Sequence, residues 1–267
     1  MLPKKVTVLA VISPKGGSGK TTTTANIAVA MSEFHKKYIL ALDTNITTAS
    51  LGIHLGIMKP PVTLIDVIKN DFSILEAMYF YNKYLQIIPS NLAIEIKGES
   101  IVFPEKIKKL THCYRILLSD LVKRYDKIII DSAPGFGLEA VAAMQAADAL
   151  LLVTNPELPA VMVSAKVVEY AKILKKPIVG IVLNKVKKKF YELNKEDVEE
   201  SLGVPVIAEI PNDEKVPESI AKRIPVVLYA KRSSASLAYR KLAADMLGEE
   251  CKIDTLSRIK TFFRRLR

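Results

Sequence analysis

Short runs dense in Val, Ile and Leu alternate along the chain with longer stretches of helical period. The runs cover residues 6–12, 38–42, 85–88, 127–130, 149–153, 178–183 and 204–208. Between them, residues 21–34, 105–124, 138–147 and 159–175 read as amphipathic helices. Within the runs apolar residues follow one another instead of alternating with polar ones, which marks strands covered on both faces. The βα alternation therefore predicts an α/β fold, a doubly wound and mostly parallel sheet with right-handed crossovers. No internal repeat and no Ser/Gly-rich linker interrupts it. One domain is expected over residues 1–248, closing on Gly248, a residue type favoured just past a helix end. Residues 249–267 differ in character and read as a basic amphipathic tail.

Composition narrows the classes. Of 267 residues, 49% are hydrophobic and 25% charged, with 11 Gly and 14 Pro, which excludes disordered, collagen-like and low-complexity chains. Lys and Arg number 39 against 28 Asp and Glu, a formal net charge of +11 that points to anionic partners. Cys113 and Cys251 stand far apart with no CxxC pair, so neither a disulfide framework nor a thiolate metal site is expected, and a reducing cytoplasm fits. The apolar stretch 140–153 is broken by Gln145 and Asp148 and falls short of the roughly 20 residues of a membrane span. The apolar run at 6–12 is too short for a signal-peptide core, so the chain is expected to remain inside the cell.

The most informative stretch is Ser13-Pro14-Lys15-Gly16-Gly17-Ser18-Gly19-Lys20-Thr21-Thr22. It follows a strand run and opens a helix. Glycines there let successive backbone N–H groups curl around phosphate oxygens, and the helix N-terminus adds positive potential. Lys20 is placed to reach the outer phosphates and the Thr21 hydroxyl to ligate Mg²⁺. Further on, Asp131 ends the buried run in Tyr125-Asp126-Lys127-Ile128-Ile129-Ile130-Asp131-Ser132-Ala133-Pro134-Gly135. A carboxylate there is costly to desolvate unless compensated, and a nucleotide-bound Mg²⁺ supplies that compensation, directly or through water. The alternative is a helix N-cap.

The second loop lysine, Lys15, makes Lys15-Gly16-Gly17-x-Gly19-Lys20-Thr21-Thr22 resemble the deviant Walker A motif of the MinD/ParA family of P-loop ATPases, closest to its MinD branch. The resemblance covers about residues 5–247. It implies a P-loop NTPase fold, binding and slow hydrolysis of ATP with Mg²⁺, and ATP-dependent homodimerisation with Lys15 reaching the partner's nucleotide. It also implies a cofactor site formed by Lys15, Gly16, Gly17, Ser18, Gly19, Lys20, Thr21 and Thr22, with Thr21, Asp43 and Asp131 around the metal. Gly135 and Gly137 fit a loop that moves between nucleotide states. Asn184, closing Gly180-Ile181-Val182-Leu183-Asn184, sits where the family reads the adenine edge. Ile210-Pro211-Asn212-Asp213 resembles the family's segment along the base, with Asn212 in place of the usual acid, so Pro211 and Asp213 join the expected cofactor contacts. An Asn amide offers adenine both a donor and an acceptor.

One departure concerns Leu42-Asp43-Thr44-Asn45, where the family shows Asp-x-Asp. Lys15, Lys20, Asp43 and Asn45 are the expected catalytic set, but Asn45 replaces an acid that helps position the attacking water. An amide orients water without a charge and is a poor base, which predicts slow hydrolysis and a long-lived ATP state.

In residues 252–267, Ile253, Leu256, Ile259, Phe262, Phe263 and Leu266 fall on one half of a helical wheel, and most charged residues fall on the other. Six cations against one carboxylate give this segment a net charge of +5. Such a helix suits the interface of an anionic bilayer, and two held in one dimer bind far better than one. The expected location is cytoplasmic, peripheral on the inner face of the cell membrane. Packing of the tail on the domain's own surface is the alternative. Lys185-Val186-Lys187-Lys188-Lys189 leans towards nucleic acid, as in DNA-associated ParA relatives, or is a solvated loop. His35, His54 and His112 are scattered and mark no triad or metal site, and the aromatics of 79–84 read as core cover. The expected function is a MinD-like, membrane-cycling ATPase that spatially positions division or motility machinery through an unidentified regulatory protein. A ParA-like partitioning ATPase and a weakly hydrolysing ATP-binding adaptor are the alternatives.

Overall fold

The computed structural model describes residues 6–46, 48–69, 71–90 and 104–251. The expected tail helix, 252–267, lies outside the described residues. Among the described residues eight strands form one sheet: β1 (Val8–Ile12), β2 (Ile39–Asp43), β3 (Tyr79–Asn82), β4 (Leu85–Ile88), β5 (Lys127–Asp131), β6 (Ala149–Thr154), β7 (Ile178–Val186) and β8 (Val206–Pro211). Their order is β3-β4-β2-β5-β1-β6-β7-β8, parallel throughout except for the antiparallel β3–β4 pair. Every expected run is a strand. The half-exposed Tyr79–Asn82 is one as well, an edge strand where core cover was expected.

Among the described residues ten helices cover the faces: α1 (Lys20–His35), α2 (Leu51–His54), α3 (Leu64–Ile68), α4 (Pro104–Leu121), α5 (Leu138–Ala146), α6 (Leu158–Ile173), α7 (Lys195–Leu202), α8 (Lys215–Ala221), α9 (Val226–Tyr229) and α10 (Ser234–Leu247). Because successive strand residues point to opposite faces, the central strands feed two cores at once. Leu9 and Val11 of β1 pack with Ile27 and Met31 of α1 and with Tyr239 and Leu242 of α10. Val8, Ala10 and Ile12 pack on the other face with Tyr114 and Leu118 of α4, Met144 of α5 and Val167 of α6. This explains why the strand runs are apolar without alternation.

The first helix departs from its amphipathic reading. Thirteen of its sixteen residues are buried, because α9 and α10 close over the side turned away from the sheet. Polar groups on that side find partners. Asn26 donates to the Thr22 carbonyl at 2.8 Å and accepts from the Val227 amide at 3.1 Å, and Thr23 Oγ1 lies 3.4 Å from the Tyr239 hydroxyl. The last helix, α10, ends on Gly248 at φ +67°, a left-handed turn that glycine adopts without a Cβ penalty. Beyond it, Glu249 bonds both His35 and Lys37 at 2.8 Å.

In this arrangement β1 lies between β5 and β6, where the chain turns from building one half of the sheet to building the other. Such a reversal opens a crevice at the carboxyl ends of the strands, a place for a ligand.

Candidate functional site

The glycine loop fills that crevice. It leaves β1 at Ser13 and enters α1 at Lys20, with Gly17 and Gly19 at φ +81° and +92°. Gly19 is required twice over. Its backbone is left-handed, and a Cβ there would lie 2.0 Å from Asn184 Nδ2. That Asn184 amide donates to the Ser18 carbonyl at 2.8 Å. The Lys185 ammonium donates to the Gly17 carbonyl, also at 2.8 Å. The end of β7 thus holds two successive carbonyls of the loop. Lys185 itself sits at φ +60°, a strained conformation for a lysine that its neighbours must maintain.

Beneath the loop two carboxylates meet. Asp131 and Asp43 are both fully buried. Lys20 Nζ donates to Asp131 Oδ1 at 2.8 Å, Thr21 Oγ1 donates to Oδ2 at 2.7 Å, and Thr24 Oγ1 reaches Oδ1 at 3.3 Å. Asp43 accepts from the amides of Asn45, Ser50 and Leu51 at 3.0 to 3.2 Å. Burial pushes the Asp43 carboxyl up and the Asp131 charge pushes it further. The amide bonds and the Lys20 charge offset this only in part, leaving it at about 7. Two strand-end carboxylates beside a threonine hydroxyl make an all-oxygen donor set that fits a hard divalent cation such as Mg²⁺. Among the described residues no three His, Cys, Asp or Glu stand together, so a cation here would be held jointly with phosphate oxygens rather than in a protein cage. Thr21 lines the cleft, while the two carboxylates lie behind it.

The cleft above has a volume of about 810 Å³. Lys15, Gly16, Gly17, Ser18, Gly19, Lys20, Thr21 and Thr22 line one end, and Asn184, Pro211, Asn212 and Asp213 the other, so the expected phosphate and base segments share one cavity. Several residues behave differently from their sequence reading. The Asp213 carboxylate is turned onto α10, accepting from Ser234 Oγ at 2.9 Å, the Ala235 amide at 3.0 Å and the Lys215 amide at 2.9 Å. Its acid thus fixes the loop rather than standing free for a base. Asn45, 5% exposed, spends its amide on Thr48, donating to the carbonyl at 3.1 Å and to Oγ1 at 2.9 Å and accepting from the Thr48 amide at 3.2 Å. Lys15 stands half-exposed with its ammonium 3.9 Å from Glu157 of its own chain.

The lysine cluster at 185–189 also changes meaning. Lys185 and Lys187 line the cleft, and the amides of Lys187 and Lys189 bond the Glu192 carboxylate. His54, read as scattered, lines the same cavity, as do Ser50, Glu157, Tyr191 and Glu192. No spacing rule pointed to these residues. Glu157 had a partial signal as the end of Thr154-Asn155-Pro156-Glu157, a motif that closes β6.

The chain matches the ParA family model, described as NUBPL iron-transfer P-loop NTPase, over residues 4–247. It belongs to the ParA family of P-loop NTPases. An ATP-binding protein of Methanocaldococcus jannaschii is 31% identical over 96% of this chain and 98% of its own. The septum site-determining protein MinD of Pyrococcus horikoshii, solved with Mg-ADP, is similar at 31% identity with a TM-score of 0.80, covering 95% of this chain and 98% of that one. MinD from Aquifex aeolicus, solved in a MinC:MinD cell division complex, shows 25% identity and a TM-score of 0.78, covering 93% of this chain and 98% of that one. Within the family the chain is therefore closest to the MinD branch. Cys113 and Cys251 do not line the cleft.

Proposed function

We propose that this ParA-family ATPase works as a MinD-like switch, binding and slowly hydrolysing ATP with Mg²⁺ in the cleft over β1. The observation that carries the reading is the Lys20–Asp131–Thr21 cluster under a glycine loop whose carbonyls are held away by β7. In the proposed cycle Lys20 leaves Asp131 for the outer phosphates, and Thr21 and Asp131, with Asp43 behind, hold the metal side. The bound Mg²⁺ supplies charge neutralisation on the phosphates. The loop amides orient the phosphate chain, while Asn184 and Pro211 flank the base and Asp213 keeps that loop in place. Asn45 orients the attacking water once it gives up Thr48, and as an amide it does so weakly.

In the same reading, ATP pairs two copies and Lys15 exchanges Glu157 of its own chain for the partner's nucleotide. The weakness of a half-exposed 3.9 Å ion pair supports an easy exchange. The tail at 252–267 then provides two membrane contacts per dimer on an anionic surface, one end of a cycle that positions division or motility machinery. The MinC:MinD complex of the Aquifex aeolicus relative supports a regulatory protein as partner. DNA partitioning is the weaker reading, because Lys185 and Lys187 are committed to the cleft wall.

Sedimentation with anionic liposomes tests the switch. Full-length protein with ATP should pellet, while protein with ADP, or protein lacking residues 252–267, should stay in solution. Equal pelleting of the full-length and truncated chains rejects the tail as anchor, and salt-sensitive DNA retention that survives truncation favours the partitioning alternative.

A further inference from the structure

Where α1 faces α2, three hydrogen bonds tie Thr21 and Thr22 at the head of α1 to Ser50 and His54. His54 Nδ1 lies 2.9 Å from the Ser50 carbonyl oxygen. A carbonyl only accepts, so Nδ1 carries the proton, and in the neutral ring Nε2 is then a bare acceptor. Thr22 Oγ1, 3.3 Å away, must donate to it. The Ser50 hydroxyl in turn reaches Thr21 Oγ1 at 3.2 Å, whose own proton goes to Asp131 at 2.7 Å. Both threonine protons at the head of α1 are therefore already spent, that of Thr21 on Asp131 and that of Thr22 on His54.

A phosphate oxygen arriving at Thr22 would accept the same proton that His54 holds. Imidazole and phosphate compete for one donor. The consequence extends past the cleft wall, because Ser50 and Leu51 donate their amides to Asp43, and the segment between β2 and α2 also carries Asn45 and Thr48.

We infer that His54 is a phosphate-responsive positioning residue: it ties Thr22 to Ser50 and is released when a nucleotide phosphate takes the Thr22 proton. The inference rests on the nucleotide reading of the cleft and goes beyond it by naming the group that reports occupancy to the segment after β2. His54 need not touch the reacting atoms to do so.

The test uses the full chain with isotope-labelled histidine at pH 8, where an ordinary imidazole is neutral. Nitrogen NMR should show His54 protonated on Nδ1 and bare on Nε2 in nucleotide-free protein. Addition of MgADP should move the Nε2 resonance, Thr22→Val should move it without ligand, and Thr22→Ser should keep the native response. Calorimetry runs alongside. His54→Leu removes the competitor for the Thr22 proton, so MgADP should bind up to about fivefold more tightly, the worth of one net hydrogen bond. A proton on Nε2 of the free protein, an Nε2 resonance unmoved by MgADP that calorimetry shows to be bound, or weaker MgADP binding by His54→Leu would each overturn the inference. Absence of any MgADP heat would instead sink the nucleotide reading, and this inference along with it.

Discussion

Asp43 and Asp131 stand directly opposite each other at the carboxyl ends of β2 and β5, paired in register and both without solvent exposure. Parallel strands that end together bring their terminal side chains together, so topology rather than local sequence sets this proximity. Lys20 answers one of the two charges at 2.8 Å. Burial and, after it, the facing Asp131 charge raise the Asp43 carboxyl.

The raised Asp43 carboxyl has a thermodynamic consequence. An acid whose folded pKa lies above its unfolded value contributes stability that is fully present below the unfolded pKa and lost as pH rises through the folded one. For Asp43 that window runs from the ordinary carboxylate range up to about 7. Urea midpoints of metal-free protein should therefore fall between pH 5 and pH 8, and Asp43→Asn should flatten the slope. A native slope of zero, or one that Asp43→Asn leaves intact, shows that the pair is compensated in some other way.

The contact between Gly19 and Asn184 joins β7 to the loop by close approach. Gly19→Ala places a Cβ 2.0 Å from the Asn184 amide nitrogen at a left-handed φ of +92°. Backbone strain of this kind costs about 1 to 3 kcal/mol, and the clash adds to it. Asn184→Ala on its own loses the bond to the Ser18 carbonyl, worth about 1 kcal/mol. In the double variant the clash disappears while the strain stays, so the two losses should sum to more than the loss measured for the pair. A double-mutant cycle by chemical denaturation measures the difference, and strict additivity would mean that the side chains do not meet.

Asp213 links β8 to the start of α10. Burial raises its carboxyl, but bonds from the Ala235 and Lys215 amides and from the Ser234 and Ser233 hydroxyls more than offset that and hold it below the ordinary range. A depressed acid contributes stability above its unfolded pKa and loses it as pH falls through the folded pKa. Asp213→Ala should cost about 1 kcal/mol at neutral pH, the scale of a lost helix cap. The loss should shrink below the carboxylate range, where the native acid is itself protonated. Denaturation at pH 7 and pH 3 checks both statements. A penalty of equal size at the two values would assign the effect to packing instead of charge.

The strands at the centre of the sheet were legible because both faces are covered, which leaves unbroken apolar runs with ends close to those of the strands. Tyr79–Asn82 escaped because an edge strand of aromatics and an Asn has no such signature. The all-round burial of α1 was hidden as well, since its outer Thr and Asn residues look solvated until α9 and α10 supply them with partners. At the site, residues within the glycine loop announced themselves by spacing. His54, Ser50 and Lys185 did not, because each reaches the cleft through a fold-level meeting of distant segments. The Ile-Pro-Asn-Asp segment lines the cleft, yet its acid faces Ala235, a contact between distant segments that no local pattern announces.

The proposed switch makes a prediction at position 45. Asn45 donates to the Thr48 carbonyl and accepts from the Thr48 amide, a reciprocal pair that an amide can make and a carboxylate cannot complete. In Asn45→Asp the donor to that carbonyl is lost, and a third acid arrives on the same segment as Asp43. Both effects loosen the turn, and the new carboxylate is free to orient water and accept its proton. Steady-state ATP turnover should rise, while stability at neutral pH should fall through the added desolvation and repulsion. The two readouts separate the possible causes. Faster turnover with lower stability fits an amide that trades hydrolysis for order in the turn. Unchanged turnover in conditions where hydrolysis is measurable would mean that position 45 does not limit the reaction.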